Sequence, residues 1–214
     1  MIRQATIHDL PAIAKVHSIC FPDSYSSQLC KLKNIIGGGN LLVSFYREYL
    51  SDNPELFWVA DDEDKGIVGF CMGYYMDKDD QMQNFMKHNR FKVLWKTFLL
   101  MLSGNKQTWN KMLARFKHKP SLSDWTIVND KYENILNNQR GDLLSVCVIP
   151  EGRGKGYAQS MMEAYLAAMK THGRKLCLLS VKTGNLRARR YYERNGFEIY
   201  RTRGEDGLTY MKLL

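Results

Sequence analysis

Hydrophobic and polar residues alternate along the chain in blocks that predict short strands separated by helices. The blocks with strand-like composition cover residues 2–7, 56–60, 67–75, 143–149, 176–181, 197–203 and 208–213. The stretches with helical periodicity begin near Asp9, Ser27, Leu42, Gly154 and Leu186. Because strand–helix–strand units place parallel strands side by side, we expect an α/β fold with a mixed central sheet and helices on its faces.

The run Leu143–Ile149 is predicted to be a buried strand of this sheet. It is almost wholly apolar, and Pro150 follows it immediately, which disfavours a helix. The stretch Gly154–Met169 then carries apolar residues on one helical face, and Gly173 is suited to end that helix. A strand therefore leads through a short turn into an amphipathic helix.

Residues of about 78–140 interrupt this pattern with a basic, amphipathic segment. Between Gln81 and Pro120 there are nine Lys or Arg residues and no Asp or Glu, which equals the whole net charge of +9. The charge thus belongs to one predicted helical insert in a single domain of residues 1–214, and a nucleic-acid partner is not expected. The pattern favours packing of the apolar face on the domain with solvated lysines. The alternative is peripheral contact with an anionic membrane or a phosphate-bearing substrate.

Cysteine usage and hydropathy exclude several other classes of protein. The five cysteines have no zinc-site spacing, so we expect reduced thiols and no metal. The N-terminus lacks the pattern of a secretory signal, and no apolar run is long enough for a spanning helix. We expect a cytoplasmic protein.

The turn after the central strand has the composition of an anion-binding site. Its three glycines alternate with Arg153 and Lys155 between Pro150 and Ala158. Glycines bring backbone N–H groups close to a ligand, and the following helix presents the positive end of its dipole. Gln159 stands where the Rossmann pattern needs glycine, so a dinucleotide oxidoreductase does not fit. By itself, the turn is equally compatible with a plain glycine-rich loop.

Two motifs in this context resemble those of the GNAT N-acetyltransferase superfamily. The acyl-CoA-binding motif is Arg153-x-x-Gly156-x-Ala158. The second motif follows at the expected distance, at Asn185, Ala188, Tyr192, Gly196 and Phe197. The resemblance covers residues 143–213 closely and residues 1–75 through the order of elements, and it leaves out the insert. It implies a central sheet of about six to seven strands with splayed middle strands, and the predicted helical insert precedes the cofactor-binding strand.

The resemblance implies that the chain binds acetyl-CoA as acyl donor. The backbone of the turn would hold its pyrophosphate, main-chain groups of the preceding strand would pair with its pantetheine arm, and a residue of the second motif would contact that arm. The residues that match these positions are Arg153, Gly154, Lys155, Gly156, Tyr157 and Ala158 in the turn, Cys147 and Val148 in the strand, and Asn185.

The resemblance also implies direct attack of an amine on the thioester, without a covalent enzyme intermediate. Tyr192 matches the tyrosine that donates a proton to the departing thiolate. Asp142 loosely matches a glutamate base, although a surface or capping role is as compatible with its position. Glu55 and Asp23 are other candidate bases. Cys147 is interpreted as a strand residue, not a nucleophile.

The predicted function is transfer of acetyl to a primary amine, with a small amine or amino sugar favoured. The Phe21–Ser26 segment and the insert are expected to border the acceptor. Because the overlapping region Cys20–Tyr25 resembles N-terminal acetylating relatives, acetylation of a protein N-terminus or lysine stays open. A non-catalytic acyl-CoA-binding module is the alternative outside enzymes, and an adaptor that works through the basic insert is a further one.

Overall fold

A computed structural model describes residues 1–31, 40–77, 80–102, 125–132, 134–203 and 207–214 of the chain. The strands are β1 (Ile2–Gln4), β2 (Phe57–Asp62), β3 (Gly66–Tyr75), β4 (Trp125–Ile127), β5 (Arg140–Val148), β6 (Leu176–Lys182), β7 (Glu198–Arg203) and β8 (Gly207–Leu213). The helices are α1 (Leu10–Cys20), α2 (Tyr25–Lys31), α3 (Leu41–Asp52), α4 (Gln81–Leu102), α5 (Tyr157–Thr171) and α6 (Leu186–Arg194).

The eight strands form one mixed sheet in the order β1-β2-β3-β5-β6-β8-β7-β4. Within it, β5 and β6 are parallel, and the other pairs are antiparallel. The predicted α/β class with a mixed sheet is confirmed. The additional strand is β4, whose three residues pair with β7 at the edge of the sheet and are too few to show a hydrophobic pattern.

The two middle strands, β5 and β6, pair over only part of their length and then separate. β5 and β6 pair from Arg140 with Leu176 to Leu143 with Leu179. Beyond that point β5 continues beside β3 alone and β6 beside β8 alone, as far as the described strands show. The predicted splay of the middle strands is therefore present, and it opens a wedge at the carboxyl end of β5.

Helices cover both faces of the sheet and hold the splayed strands in place. On one face α5 buries Met161, Met162 and Tyr165 completely against β2, β3 and β5. On the other face α1 and α3 bury Ile13 and Tyr46, among others, against the opposite side of β2 and β3. Burial of such side chains stabilises each by about 1.5–3 kcal/mol.

Two glycines in β3 allow β5 and α5 to approach closely. A Cβ at Gly69 would lie 2.7 Å from the carbonyl oxygen of Cys147. At Gly73 it would collide with the carbonyl oxygen of Asp142 and the hydroxyl of Tyr165. Both positions thus require close packing without a side chain, and the pairing of β3 with β5 shifts register between Met72 and Gly73.

The first part of the basic segment forms α4, a helix of 22 residues that packs against α2 and α3. The other helix that the sequence predicts in this segment, at residues 109–116, lies outside the described residues. Among the described helices, none is both long and apolar enough to cross a membrane.

Candidate functional site

A cavity of about 640 Å³ opens at the carboxyl end of β5, between that strand and α6. Three groups of residues form its wall: the end of β5, the turn that leads into α5, and one side of α6. From the sequence-predicted set it brings together Cys147, Val148, Arg153, Gly154, Gly156, Tyr157, Ala158, Asn185 and Tyr192. Cys20 and Phe21, at the end of α1, also line it.

One edge of β5 is open toward this cavity. The N–H of Ile149 donates to the carbonyl of Val68 across the β3 pair, at 2.9 Å. Because hydrogen bonding alternates along an antiparallel pair, the main chain of Cys147 also faces β3, opposite Phe70. The main-chain groups of Val146 and Val148 then face the open side.

The strand contact expected from Cys147 therefore has to be corrected. Its main-chain groups are directed at β3, and Val146, which also lines the cavity, presents the free groups instead. The sequence correctly located the strand. Which of its residues direct their main-chain groups at β3, and which at the open side, depends on how β5 pairs with β3. The Cys147 side chain packs against α1 and α3, and burial raises the pKa of its thiol well above the usual value. A neutral thiol agrees with the interpretation of Cys147 as a strand residue and not a nucleophile.

The turn between β5 and α5 exposes backbone donors to the same cavity. Gly154 and Gly156 have φ values of +82° and +78°, in the left-handed region that other residues avoid. The N–H of Ser160 bonds to Gly156, so the preceding N–H groups of the helix have no partner within it. No side chain caps this end of α5. The arrangement is suited to bind a phosphate or pyrophosphate.

An aspartate that the sequence did not single out fastens this turn to β2. The carboxylate of Asp62 accepts from Lys155 Nζ at 2.7 Å and from the Tyr157 hydroxyl at 2.9 Å. These two hydrogen bonds lower the pKa of Asp62 to about 2, and the bond from Lys155 has the larger effect. Lys155 itself is absent from the cavity wall that the described residues form. In the sequence, Asp62 stands within a polar turn and has no signal that separates it from Asp61 or Asp64.

Replacement of Asp62 with asparagine is expected to weaken acetyl-CoA binding about three- to tenfold, since charged hydrogen bonds that position the turn are lost. Because the pKa of Asp62 in the folded protein lies below that of a free aspartate, the contact acts above about pH 4 and is lost as the pH falls toward 2. Asp64→Asn is the control, because it makes the same change of charge two residues away, in the turn between β2 and β3. Equal dissociation constants for acetyl-CoA in the two variants would contradict this role of Asp62.

Tyr192 projects from α6 into the wall of the cavity. It is 9% exposed and packs edge-on against Phe197. Burial raises the pKa of its phenol above the usual value, so the hydroxyl keeps its proton at neutral pH. Within the described ranges, no residue hydrogen-bonds to this hydroxyl. A protonated phenol in this position is able to donate to a ligand.

Asn185, directly before α6, and Tyr191, within it, also line the cavity. The side chain of Asn185 caps the helix by accepting from the N–H of Ala188 at 3.2 Å. The Tyr191 hydroxyl donates to the carbonyl of Ala158 at 2.8 Å and so ties α6 to the first turn of α5.

Asp142 lies on β5 but outside the cavity wall formed by the described residues. Burial raises the pKa of its carboxyl to about 7, and the charge of Arg201 acts in the opposite direction. Its charge in turn contributes to the raised pKa values of Tyr49 and Tyr74. The predicted base Asp142 therefore lies apart from the predicted residues that line the cavity. Tyr49 and Tyr74 are near enough to feel its charge.

Residues 124–197 match the model of a protein family described as the acetyltransferase (GNAT) family. This segment contains β5, the glycine turn and α6, which form the cavity. No protein with a curated description matches the sequence.

Solved structures with the same fold include three acetyltransferases, each aligned over 100% of this chain. Naa20 of Chaetomium thermophilum, in complex with a bisubstrate analogue, is 18% identical over 86% of its own chain, with a TM-score of 0.54. The ribosomal-protein-alanine N-acetyltransferase of Brucella melitensis is 15% identical over 99%, with a TM-score of 0.54. The PaiA N-acetyltransferase of Thermoplasma acidophilum, in complex with coenzyme A, is 17% identical over 98%, with a TM-score of 0.52. At these identities the likeness is one of fold.

Proposed function

We propose that this chain, whose residues 124–197 match the GNAT acetyltransferase family model, is an acetyl-CoA-dependent N-acetyltransferase that acetylates the primary amine of a small molecule or amino sugar by direct attack. One observation carries the proposal: the wall of the cavity includes the end of β5, the uncapped first turn of α5 and Tyr192 of α6. A donor with a pyrophosphate and a thioester would place the pyrophosphate at the free N–H groups of that turn.

The donor would be held by main-chain groups at both ends of the cavity. The free N–H groups at the start of α5, with Gly154 and Gly156, would receive the pyrophosphate. The open edge of β5 at Val146 and Val148 would pair with the amide groups of the pantetheine arm, as an added strand does. The carbonyl of Val148 already accepts from Arg153 Nε at 3.2 Å, so Arg153 would align the strand end with the turn.

The reaction would proceed by attack of the neutral amine on the thioester carbonyl carbon. The C–N bond forms, the C–S bond breaks, and a main-chain N–H of β5 stabilises the carbonyl oxygen as charge develops on it. The leaving CoA thiolate takes a proton from the Tyr192 hydroxyl, which burial keeps protonated. Much of the acceleration would come from positioning two bound reactants.

The proton that the amine releases would pass to Asp142. A carboxyl with a pKa of about 7 is a carboxylate in part at neutral pH and still basic enough to accept a proton. Because Asp142 lies outside the cavity wall of the described residues, the transfer would need an intervening water molecule.

This role predicts a pH profile that depends on Asp142. In the native enzyme kcat/KM should rise as the pH increases through about 7, because the carboxylate form is the base. In Asp142→Asn this limb should be absent and the rate lower by roughly 10- to 100-fold. The raised pKa also means that the ionised carboxyl destabilises the fold as the pH rises through that value, so the variant should melt no lower than the native protein at pH 8. A native pH limb in the variant would exclude Asp142 as the base.

The acceptor is best identified by release of the free CoA thiol with a panel of amines. We expect turnover of small amines or amino sugars, with or without a phosphate-bearing carrier. Turnover of peptides alone would support the second candidate, a protein N-terminal or lysine acetyltransferase, which the fold of the Naa20 and Brucella proteins brings into consideration. Binding of acetyl-CoA without turnover of any amine would support a non-catalytic acyl-CoA module. Cytoplasmic location stays a prediction.

A further inference from the structure

Helix α4 has two apolar faces, and among the described residues one of them packs on the domain. Its inner face buries Phe85 and Leu100, which contact α2 and α3 through Tyr25 and Phe45. Asn89 is buried on the same face, where its side chain donates to the carbonyl of Phe85 at 3.1 Å. This inner face already accounts for the attachment of the helix to the protein.

The outer face of α4 carries a stripe of large exposed side chains. The members and their exposed fractions are Phe91 72%, Leu94 62%, Trp95 46%, Phe98 49% and Leu102 67%. Their spacing of three or four residues places them in one line along the helix, on the side opposite Phe85 and Leu100. Over these residues the helix runs about 17 Å. A continuous apolar stripe of this kind on a soluble surface indicates a contact with a partner or a lipid surface.

The Lys and Arg residues of α4 give this helix charge of one sign, and Glu48 of α3 lies 3.4 Å from His88 of α4. Arg90 and Lys92 are exposed and flank Phe91 on either side of the helix, and Lys87 is exposed one turn earlier. The Arg90 guanidinium lies 4.8 Å from the centre of the Phe91 ring. No acidic residue occurs from Gln81 to Pro120. Aromatic and aliphatic side chains between basic flanks are complementary to a lipid surface with anionic headgroups.

We propose that the outer face of α4 docks the protein on an anionic lipid surface, with Phe91, Trp95 and Phe98 inserted among the headgroups. The helix would lie in the plane of the surface, because its inner face holds α2 and α3. The cavity at the end of β5 uses none of these residues, so docking and acetyl-CoA binding are separable. The inference does not depend on the proposed acceptor, and it concerns where the enzyme works.

Co-sedimentation of the full chain with vesicles tests this proposal. We expect binding to phosphatidylcholine vesicles that contain phosphatidylserine, little binding to phosphatidylcholine alone, and weakening as salt is raised. The double variant Phe91→Ser/Trp95→Ser should bind roughly 10- to 100-fold more weakly, because two apolar anchors are lost. Arg90→Glu/Lys92→Glu should lose the preference for phosphatidylserine.

Matched controls separate the stripe from general changes in surface chemistry. Val128→Ser/Leu136→Ser removes two exposed apolar residues elsewhere, and Lys15→Glu/Lys170→Glu makes the same change of net charge on other surfaces. Both controls should bind vesicles like the native protein, and all variants should keep the thermal shift that acetyl-CoA produces. Vesicle binding that the stripe variants retain would overturn the proposal. A native dimer that the stripe variants convert to monomer, without vesicle binding, would overturn it in favour of a second copy of the chain.

Discussion

Replacement of Gly156 with tryptophan is expected to abolish the stabilisation of the protein by acetyl-CoA. Gly156 has a φ of +78°, stands directly before α5, and lines the cavity. An indole at this position would occupy the space in front of the free N–H groups, and the left-handed backbone conformation costs another residue about 1–2 kcal/mol. At ligand concentrations 100-fold above the native dissociation constant, the native protein should gain about 2.7 kcal/mol of stability and the variant close to none.

Gly173 provides a control for the backbone strain. It stands at the other end of α5 with a φ of +70° and, like Gly156, has no atom within 4 Å of a Cβ position. Gly173→Trp should therefore have a similar cost in intrinsic stability and keep the acetyl-CoA-induced rise in melting temperature. If both variants kept this rise, the pyrophosphate would have to bind elsewhere.

Replacement of Tyr192 with phenylalanine is expected to lower kcat about 100-fold while the KM for acetyl-CoA changes little. The change removes only the hydroxyl, so the packing of the ring on Phe197 and Tyr210 is kept. The departing thiolate then has no donor in place, whereas the groups that hold the donor molecule are untouched. Steady-state kinetics with the acceptor found in the amine screen measures both constants.

Tyr191→Phe is the matched comparison, because it removes a hydroxyl from the neighbouring residue of the same helix. Its hydroxyl donates to Ala158, so its loss should loosen the pyrophosphate turn and raise the KM for acetyl-CoA with kcat largely kept. A kcat for Tyr192→Phe within threefold of the native value would remove Tyr192 from the mechanism. The opposite pattern, with kcat lost in Tyr191→Phe, would assign the proton donor to Tyr191.

Much of the fold was accessible from the sequence because its signals are local. The β-type composition of Leu143–Ile149, the proline after it and the glycines of the next turn each restrict nearby backbone. They predicted a strand, a turn and a helix that the structure contains as β5, the turn and α5. The three-residue β4 was missed because its place depends on pairing with β7.

Parts of the candidate site were missed because they depend on contacts between distant segments. Asp62 meets Lys155 across 93 positions of the sequence, and nothing local marks that contact. The main-chain groups of Val146, and not those of Cys147, face the cavity because of the register in which β5 pairs with β3. Likewise, the raised pKa of Asp142 arises from burial by neighbouring elements, which composition alone does not reveal.

Every proposed step starts from donor binding in the cavity at the end of β5, and calorimetric titration of the native protein with acetyl-CoA measures that binding. We expect saturable binding of one acetyl-CoA per chain, with a dissociation constant in the range of roughly 1 µM to 1 mM that is usual for enzyme substrates. Absence of saturable binding across that range would contradict the account and leave the cavity without its assigned ligand.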